Sequence, residues 1–192
     1  MNIVNVGYRS TNYYVLADTA PRLLVDAGWP GTLSTMQHTC RRMGIALADI
    51  PYQLATHYHP DHAGLVQPLK RLGVRLILMD TQLAGILLLR TYVKPKDKYV
   101  DVELGDNTLL SVGESRAFLA RIGIQGEIIS TPGHSDDSVT LILDEGAAFT
   151  GDLTPPQIVP QDPTDLAHQS WARIRAKRVI TIYPGHGLAW HM

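Results

Sequence analysis

The stretch Thr56-His57-Tyr58-His59-Pro60-Asp61-His62-Ala63-Gly64 constrains this chain more than any other, because it sets three imidazoles and a carboxylate within six consecutive positions. Buried polar side chains are costly unless they are hydrogen-bonded or bound to a cation, and no capping or turn rule asks for His-x-His-x-Asp-His. A metal site accounts for such a density of donors. Imidazole nitrogen combined with carboxylate oxygen suits zinc best, with manganese or iron close behind. His57 and His59 are two apart, so at an extended strand end both rings point to one side and can grip one ion. Asp61 and His62 follow a proline that ends the strand, stand where a helix is expected to begin, and could hold a second ion. A polar turn with satisfied histidines is the competing account; it would serve for a lone His but not for the whole pattern.

With 192 residues and a 45% hydrophobic composition, the chain has enough apolar material for one domain, residues 1–192, and is short for two. A formal net charge of −1 supplies no overall attraction to nucleic acid or to membrane. The single cysteine, Cys40, rules out an internal disulfide framework and cysteine-rich zinc ribbons, and it fits a reducing cytoplasm. Met1 to Val15 shows no basic region followed by an apolar core, so no secretion signal is expected. The longest apolar run, Leu83 to Leu89, is too short to cross a bilayer. The expectation is a cytoplasmic protein acting on a small molecule, without membrane or nucleic acid as a partner.

Asn2 to Asp26 reads as an antiparallel meander of three strands, closed by Asp26-Ala27-Gly28. A carboxylate directly after an apolar strand is poised at the strand's carboxyl edge, where sites in mixed folds gather; an Asp forming a local turn before Gly28 is the plain alternative. Gly31 to Met43 has helical spacing, with Cys40 on the core face rather than acting as a nucleophile. Tyr52 to Ala55 is a short strand delivering the histidine-rich loop, His62 to Leu72 is helical, and Val74 to Met79 is a buried strand. Asp80 to Thr91 predicts a helix apolar around most of its circumference: plain core by default, with a homodimer contact or a substrate lid left open. Glu103 to Leu110 turns through a hairpin-type Gly105-Asp106-Asn107, and Glu114 to Arg121 is a helix. Gly126 to Ser130 is a strand running into Thr131-Pro132-Gly133-His134-Ser135. Val139 to Leu143 and Ala147 to Phe149 form a hairpin whose second strand ends in Thr150-Gly151-Asp152. After a helix over Asp165 to Lys177, Val179 to Ile182 is the last predicted strand, opening into Tyr183-Pro184-Gly185-His186-Gly187. Each strand-rich half carries donors at strand ends, and two such halves would make two sheets covered outside by helices.

Of the eight histidines, five stand at predicted strand ends beside Gly, Pro or Asp, where side chains from separate strands can converge. With Asp61 and Asp152 they make seven donors, enough for two ions. In their order along the chain, Leu24 to Gly28, Thr56 to Gly64, Thr131 to Ser135, Thr150 to Asp152 and Pro184 to Gly187 resemble the motifs of the metallo-β-lactamase fold superfamily, in particular its glyoxalase II-like and lactonase-like hydrolases. The resemblance implies an α+β fold, a four-layer αββα sandwich of two mostly antiparallel mixed β-sheets flanked by helices. It further implies that His57, His59 and His134 bind a first metal, that Asp61, His62 and His186 bind a second, that Asp152 bridges both, and that Asp26 supports the metal histidines.

Two divalent ions, zinc first with manganese or iron as substitutes, would lower the proton affinity of a shared water, making hydroxide the nucleophile near neutral pH. Asp61 could orient that hydroxide and pass its proton on. The implied activity is hydrolysis of a small ester, thioester or lactone. True β-lactamases of this fold lack the carboxylate of the Thr-Gly-Asp motif, so Asp152 argues against antibiotic hydrolysis. Flavin-linked diiron relatives carry a glutamate where His59 stands, and glyoxalase II enzymes carry a helical domain after the last metal histidine that this sequence does not show. Two alternatives remain: a phosphodiesterase or nuclease on the same ions, with Arg173, Arg175, Lys177 and Arg178 as a short basic cluster, and a mono-iron sulfur dioxygenase. Tyr58 and Tyr183 are candidates to donate to an oxyanion, with aromatic packing as the plainer reading. Asp136, Asp137 and Ser138 are expected in turn duty or substrate contact, and His168 on a helix surface.

Overall fold

Strands here bury both faces. Val139–Leu143 and Ala147–Gly151 are buried at every position, which requires a packed layer on each side of the sheet. The computed structural model describes residues 1–192 and supplies those layers. Strands β1 (Asn2–Asn5), β2 (Tyr14–Ala17), β3 (Pro21–Val25), β4 (Tyr52–Leu54), β5 (Arg75–Met79) and β6 (Thr108–Leu110) form a six-stranded sheet in chain order. Strands β7 (Gly126–Ser130), β8 (Val139–Leu143), β9 (Ala147–Gly151), β10 (Thr181–Pro184) and β11 (Trp190–His191) form a second sheet, ordered β11-β10-β9-β8-β7. Both are mixed: β1/β2, β2/β3, β7/β8, β8/β9 and β10/β11 pair antiparallel, and β3/β4, β4/β5, β5/β6 and β9/β10 pair parallel.

Alternate side chains feed alternate cores. From the first sheet Val15, Leu24, Leu76 and Leu78 point outward. They pack on Met36 and Cys40 of α1 (Leu33–Arg42), Val66 and Leu69 of a later short helix, and Ile86 and Leu89 of the helix Leu83–Tyr92. Their neighbours Leu16, Leu23, Val25, Ile77 and Met79 point inward, where they meet Ile128, Leu141, Leu143 and Phe149 of the second sheet. On the far face of that sheet Ile129, Ile142 and Ala148 pack on Ala167, Trp171 and Ile174 of the helix Leu166–Arg175. Each fully buried aliphatic side chain contributes about 1.5–3 kcal/mol, so the layering is maintained by the strand alternation itself. The result is the αββα sandwich that the motifs imply. No helix is long and apolar enough to cross a membrane.

Several local expectations are corrected. The helix expected over His62 to Leu72 is two pieces, α2 (Pro60–Ala63) and α3 (Val66–Arg71), because the backbone leaves the helix at Leu65 (φ −106°, ψ 5°), whose N–H donates to Ala27 O at 2.7 Å. Helix α4 (Leu83–Tyr92) is not plain core: Gly85, Ile86 and Leu89 are buried, but Leu87 is 73% exposed and Leu88 and Tyr92 are each 53% exposed. The Gly105-Asp106-Asn107 turn closes no hairpin; it feeds β6, which pairs parallel with β5. Helix α5 (Val112–Arg121) follows it, and α6 (Leu166–Arg175) carries the Asp165 cap, whose Oδ1 accepts from His168 N at 2.9 Å. The last strand is β11, which turns back to pair antiparallel with β10, Thr181 with His191 and Ile182 with Trp190, and which its two residues do not announce.

Strands β3 and β4 run in the same direction, as do β7, β9 and β10, and their carboxyl ends are stitched together at one rim. Val139 N donates to Thr56 O at 2.8 Å, joining the two sheets, and Asn12 N donates to Gly185 O at 2.7 Å.

Candidate metal centre

The rim gathers donor atoms from four separate stretches of chain, those that follow β4, β7, β9 and β10. His57 and His59 lie in the loop after β4, not on the strand itself, which ends at Leu54; their rings nevertheless stand 4.5 Å apart. His134 comes from the loop after β7, Asp152 from the end of β9 and His186 from the turn after β10, while Asp61 and His62 lie in the first turn of α2. They form two groups able to hold an ion, His57 with His59 and His134, and Asp61 with His62, Asp152 and His186; within each group the donor atoms lie no more than 4.8 Å apart. Asp152 faces both groups. Its Oδ2 is 3.8 Å from His134 Nε2, 4.0 Å from His57 Nε2 and 3.3 Å from His186 Nε2, and its Oδ1 is 3.2 Å from His62 Nε2.

In His57, His62 and His186 the nitrogen that faces away from the centre is anchored, which fixes what the inward nitrogen can do. His62 Nδ1 donates to Asp26 Oδ2 at 2.8 Å, and His186 Nδ1 donates to Ser10 O at 2.6 Å. Asp26 Oδ1 also accepts from Thr56 N at 2.7 Å and from Thr56 Oγ1 at 3.0 Å, so the Thr56 oxygen is left to accept from His57 Nδ1 at 3.2 Å. Thr11 Oγ1 donates to Asp61 Oδ2 at 3.1 Å. With its Nδ1 hydrogen committed to Thr56, neutral His57 turns a lone pair inward, and His62 Nε2 does the same once its second proton is lost. Asp26 is buried and adopts a left-handed backbone with φ 65°, a conformation that costs energy in a non-glycine residue and persists because its carboxylate is held from two sides.

The residues fit a cation. His57 Nε2, His62 Nε2 and Asp152 Oδ1 are buried without a hydrogen-bond partner, a costly state for three converging polar atoms unless an ion joins them. Crowding shows the same demand for space: a Cβ on Gly185 would strike Asp152 Oδ1 and His62 Cε1, and one on Gly151, which has φ 54°, would strike the Thr56 side chain. Burial, then the neighbouring imidazoles, hold His57 well below the usual histidine range, so its ring is neutral with a free lone pair; burial also lowers His134. His62 goes the other way. Burial opposes its charge, but Asp26 first, then Asp152 and Asp61, raise it well above the ordinary value. Burial likewise opposes ionisation of Asp61, and the contacts with His62 and Thr11 outweigh it, drawing the carboxyl down to about 2. Without metal, a proton on His62 stands in for part of the cation's charge.

A cavity of about 350 Å³ opens beside His59 and His134, walled by Ala84, Leu88 and Tyr92 of α4 and by Asp136. Tyr92 meets the His59 ring edge-on at 5.0 Å. The remaining sequence candidates fall outside the donor groups. Tyr58 is buried in the core, and Tyr183 stacks on Phe149 with ring centres 5.1 Å apart, so packing accounts for both rings. Ser138 Oγ pairs with Ser135 Oγ at 2.8 Å, which is turn duty, whereas Asp137 Oδ2 accepts from Tyr58 N at 2.7 Å and so ties the loop of His134 to that of His57 and His59. Sequence reasoning missed Ser10, Thr11 and the role of Thr56. Ser10 and Thr11 act across 176 and 50 positions, so nothing local marks them, whereas Thr56 stands directly before His57 and was open to inspection.

The chain belongs to the metallo-β-lactamase superfamily, whose sequence profile matches residues 6–186. Among curated proteins it is 28% identical to the "Beta-lactamase-like protein 2 homolog" of Drosophila melanogaster, over 93% of this chain and 59% of that protein. It is 29% identical to an "Atrochrysone carboxyl ACP thioesterase" of Aspergillus fumigatus, over 93% of this chain and 51% of that protein. The chain thus spans little more than half the length of these relatives. Among solved structures, a metallo-β-lactamase family protein from Thermus thermophilus superposes with a TM-score of 0.78 at 22% identity, covering 99% of this chain and 74% of that one. The FEZ-1 metallo-β-lactamase of Legionella gormanii gives 0.71 at 18% identity, covering 96% and 76%. At these identities the structural matches show the fold, and the His/Asp cluster is one that could hold a metal.

Proposed function

We propose that the chain is a dinuclear metal-dependent hydrolase of a small thioester or ester, with lactones as the adjacent substrate class. The observation that carries this reading is the convergence of His57 Nε2, His62 Nε2 and Asp152 Oδ1 as buried, unpartnered atoms between two donor groups. His57, His59 and His134 would hold one divalent ion, Asp61, His62 and His186 the other, and Asp152 would face both; zinc suits the donors best, with manganese or iron as substitutes. When bound, such a pair supplies Lewis acidity and a water acidified enough to attack an acyl carbon near neutral pH.

The chain's own residues do the rest. Asp61, oriented by Thr11 Oγ1 and kept ionised, is the group positioned to take a proton from the attacking water. The wall of Ala84, Leu88 and Tyr92 accepts the acyl group and excludes water from the side nearest His59 and His134. The thioesterase named among the relatives favours a sulfur leaving group. Two of the four cations of the basic cluster that would suit a nuclease are otherwise engaged: Arg173 donates to Ser130 O and Lys177 pairs with Glu127.

Elemental analysis of purified protein, run beside a panel of thioester, lactone and bis-aryl phosphodiester substrates, tests the reading. Metal-dependent thioester or ester turnover that fails in His134→Ala supports it. Turnover that survives chelation, or turnover of phosphodiesters alone, overturns it.

A further inference from the structure

A second cavity, of about 420 Å³, lies on the other side of Tyr92 from the one described above. Arg9, Lys96 and Lys98 line it, and Pro60, which stands between His59 and Asp61, forms part of its wall. The electrostatics are one-sided. The lining carboxylate, Asp97, already accepts from Lys94 N through Oδ2 at 2.7 Å, and none of the three cations has a carboxylate within 4.0 Å. Elsewhere on the surface, Arg22, Arg71, Arg90, Arg116 and Lys177 all have acidic partners.

Two of the cations are also held at a conformational cost. Arg9 and Lys98 take left-handed backbones, with φ 59° and 56°, in a chain where five non-glycine residues do so; another of the five is Asp26 at the metal centre. Such strain persists where surrounding structure overrides it, and it collects at binding sites. The Arg9 guanidinium lies 5.7 Å from the centre of the Trp29 ring, which holds the fork in place on the cavity wall. The same short loop presents Ser10 to His186 and Thr11 to Asp61, so whatever seats on Arg9 is registered against the reacting centre.

We propose that this cleft binds the phosphate of a phosphopantetheine-type thioester, with Tyr92 dividing the phosphate subsite from the acyl cavity. The proposal rests on the hydrolase reading above and names its substrate class. A guanidinium fork flanked by two ammonium groups suits a dianionic phosphate better than a single carboxylate. The arm could belong to a free coenzyme or to a carrier protein.

The test compares the same acyl group on three thiols: coenzyme A, a carrier protein's phosphopantetheine, and N-acetylcysteamine, which has no phosphate. The variant is Arg9→Asn/Lys96→Gln/Lys98→Asn, with asparagine chosen because it tolerates the left-handed backbone. Native protein should prefer a phosphate-bearing thioester, and the variant should lower the ratio of its kcat/KM to that of the neutral thioester by about 10- to 100-fold. In metal-stripped protein, calorimetry should detect 4′-phosphopantetheine but not pantetheine, with affinity falling as salt rises. A higher rate on the coenzyme or on the carrier protein identifies the source, and either supports the cleft. An unchanged ratio together with equal binding of pantetheine overturns the cleft, and metal-dependent hydrolysis of the neutral thioester would then leave the hydrolase reading standing. Variant-sensitive phosphopantetheine binding without any metal-dependent thioester turnover would uphold the cleft and overturn the hydrolase reading. Variant-sensitive cleavage of a single-stranded oligoribonucleotide with no thioester turnover would overturn both.

Discussion

The two donor groups differ in charge and in how firmly they are held. His57, His59 and His134 include no carboxylate, and only His57 has an anchored outer nitrogen; His59 Nδ1 and His134 Nε2 face one another at 3.0 Å. The other group brings two carboxylates, and three of its members are tied down, by Asp26, Ser10 and Thr11. On the proposed reading, this group would be set before an ion arrived and its charge would draw a divalent cation, whereas the imidazole group would need an ion to set His59 and His134 in one geometry. Tight, ordered loading is the expected consequence, with the carboxylate group filled first.

Asp152→Ala attacks what the groups share and should have the largest effect. Turnover should fall by roughly 10²–10³-fold and metal content below one ion per chain, read by elemental analysis and steady-state kinetics. If one group keeps its ion at full affinity, Asp152 does not couple them.

Two glycine substitutions separate the groups. Gly185→Ala drives a methyl into Asp152 Oδ1 and His62, and should empty the carboxylate group. Gly133→Ala, at φ 142° against the Ala167 backbone, shifts the His134 loop and should weaken the imidazole group. Metal titrations that come out identical for the two variants would erase the distinction.

Asp26→Asn is gentler. Thr56 N and Oγ1 donate to the Oδ1 side, so the amide oxygen stays there and its NH2 faces His62 Nδ1; a donor in that place moves the ring's proton to Nε2, the nitrogen facing Asp61 and Asp152. Affinity of the carboxylate group should drop about 10- to 100-fold, with little change in the other.

Loading should also differ in protons. His62 is held protonated by three carboxylates, so filling its group expels that proton and weakens as pH falls, whereas His57 is already neutral and has none to lose. Calorimetric titration in buffers of different ionisation enthalpy reads the difference; equal proton release from both steps would contradict it. The smallest effect belongs to a control away from the rim. Glu127→Gln removes the partner of Arg116 and Lys177, should cost under about 1 kcal/mol in chemical denaturation, and should leave metal content unchanged.

Much of this arrangement was legible in the order of residues. The seven donors stand in short motifs at the ends of apolar runs, and a strand end beside Gly, Pro or Asp is a local property readable without coordinates. The two-sheet layering was equally visible, because runs such as Val139–Leu143, apolar apart from Thr140, have no wet face. Less legible were the helix break at Leu65 and the half-exposed α4, which depend on what a distant segment presses against them, and β11, whose two residues are too few to carry a pattern.

Residue order thus determined which atoms are able to ligate and which strands are buried, because donor chemistry and alternation are written within a few neighbouring positions. Tertiary structure alone decided which nitrogen of each imidazole faces inward, that Ser10 and Thr11 serve the centre, and that Arg9 and Lys98 share one cleft. Those outcomes require groups far apart in the chain to meet, and hydrogen bonding and electrostatics act over ångströms in space, not over positions in sequence.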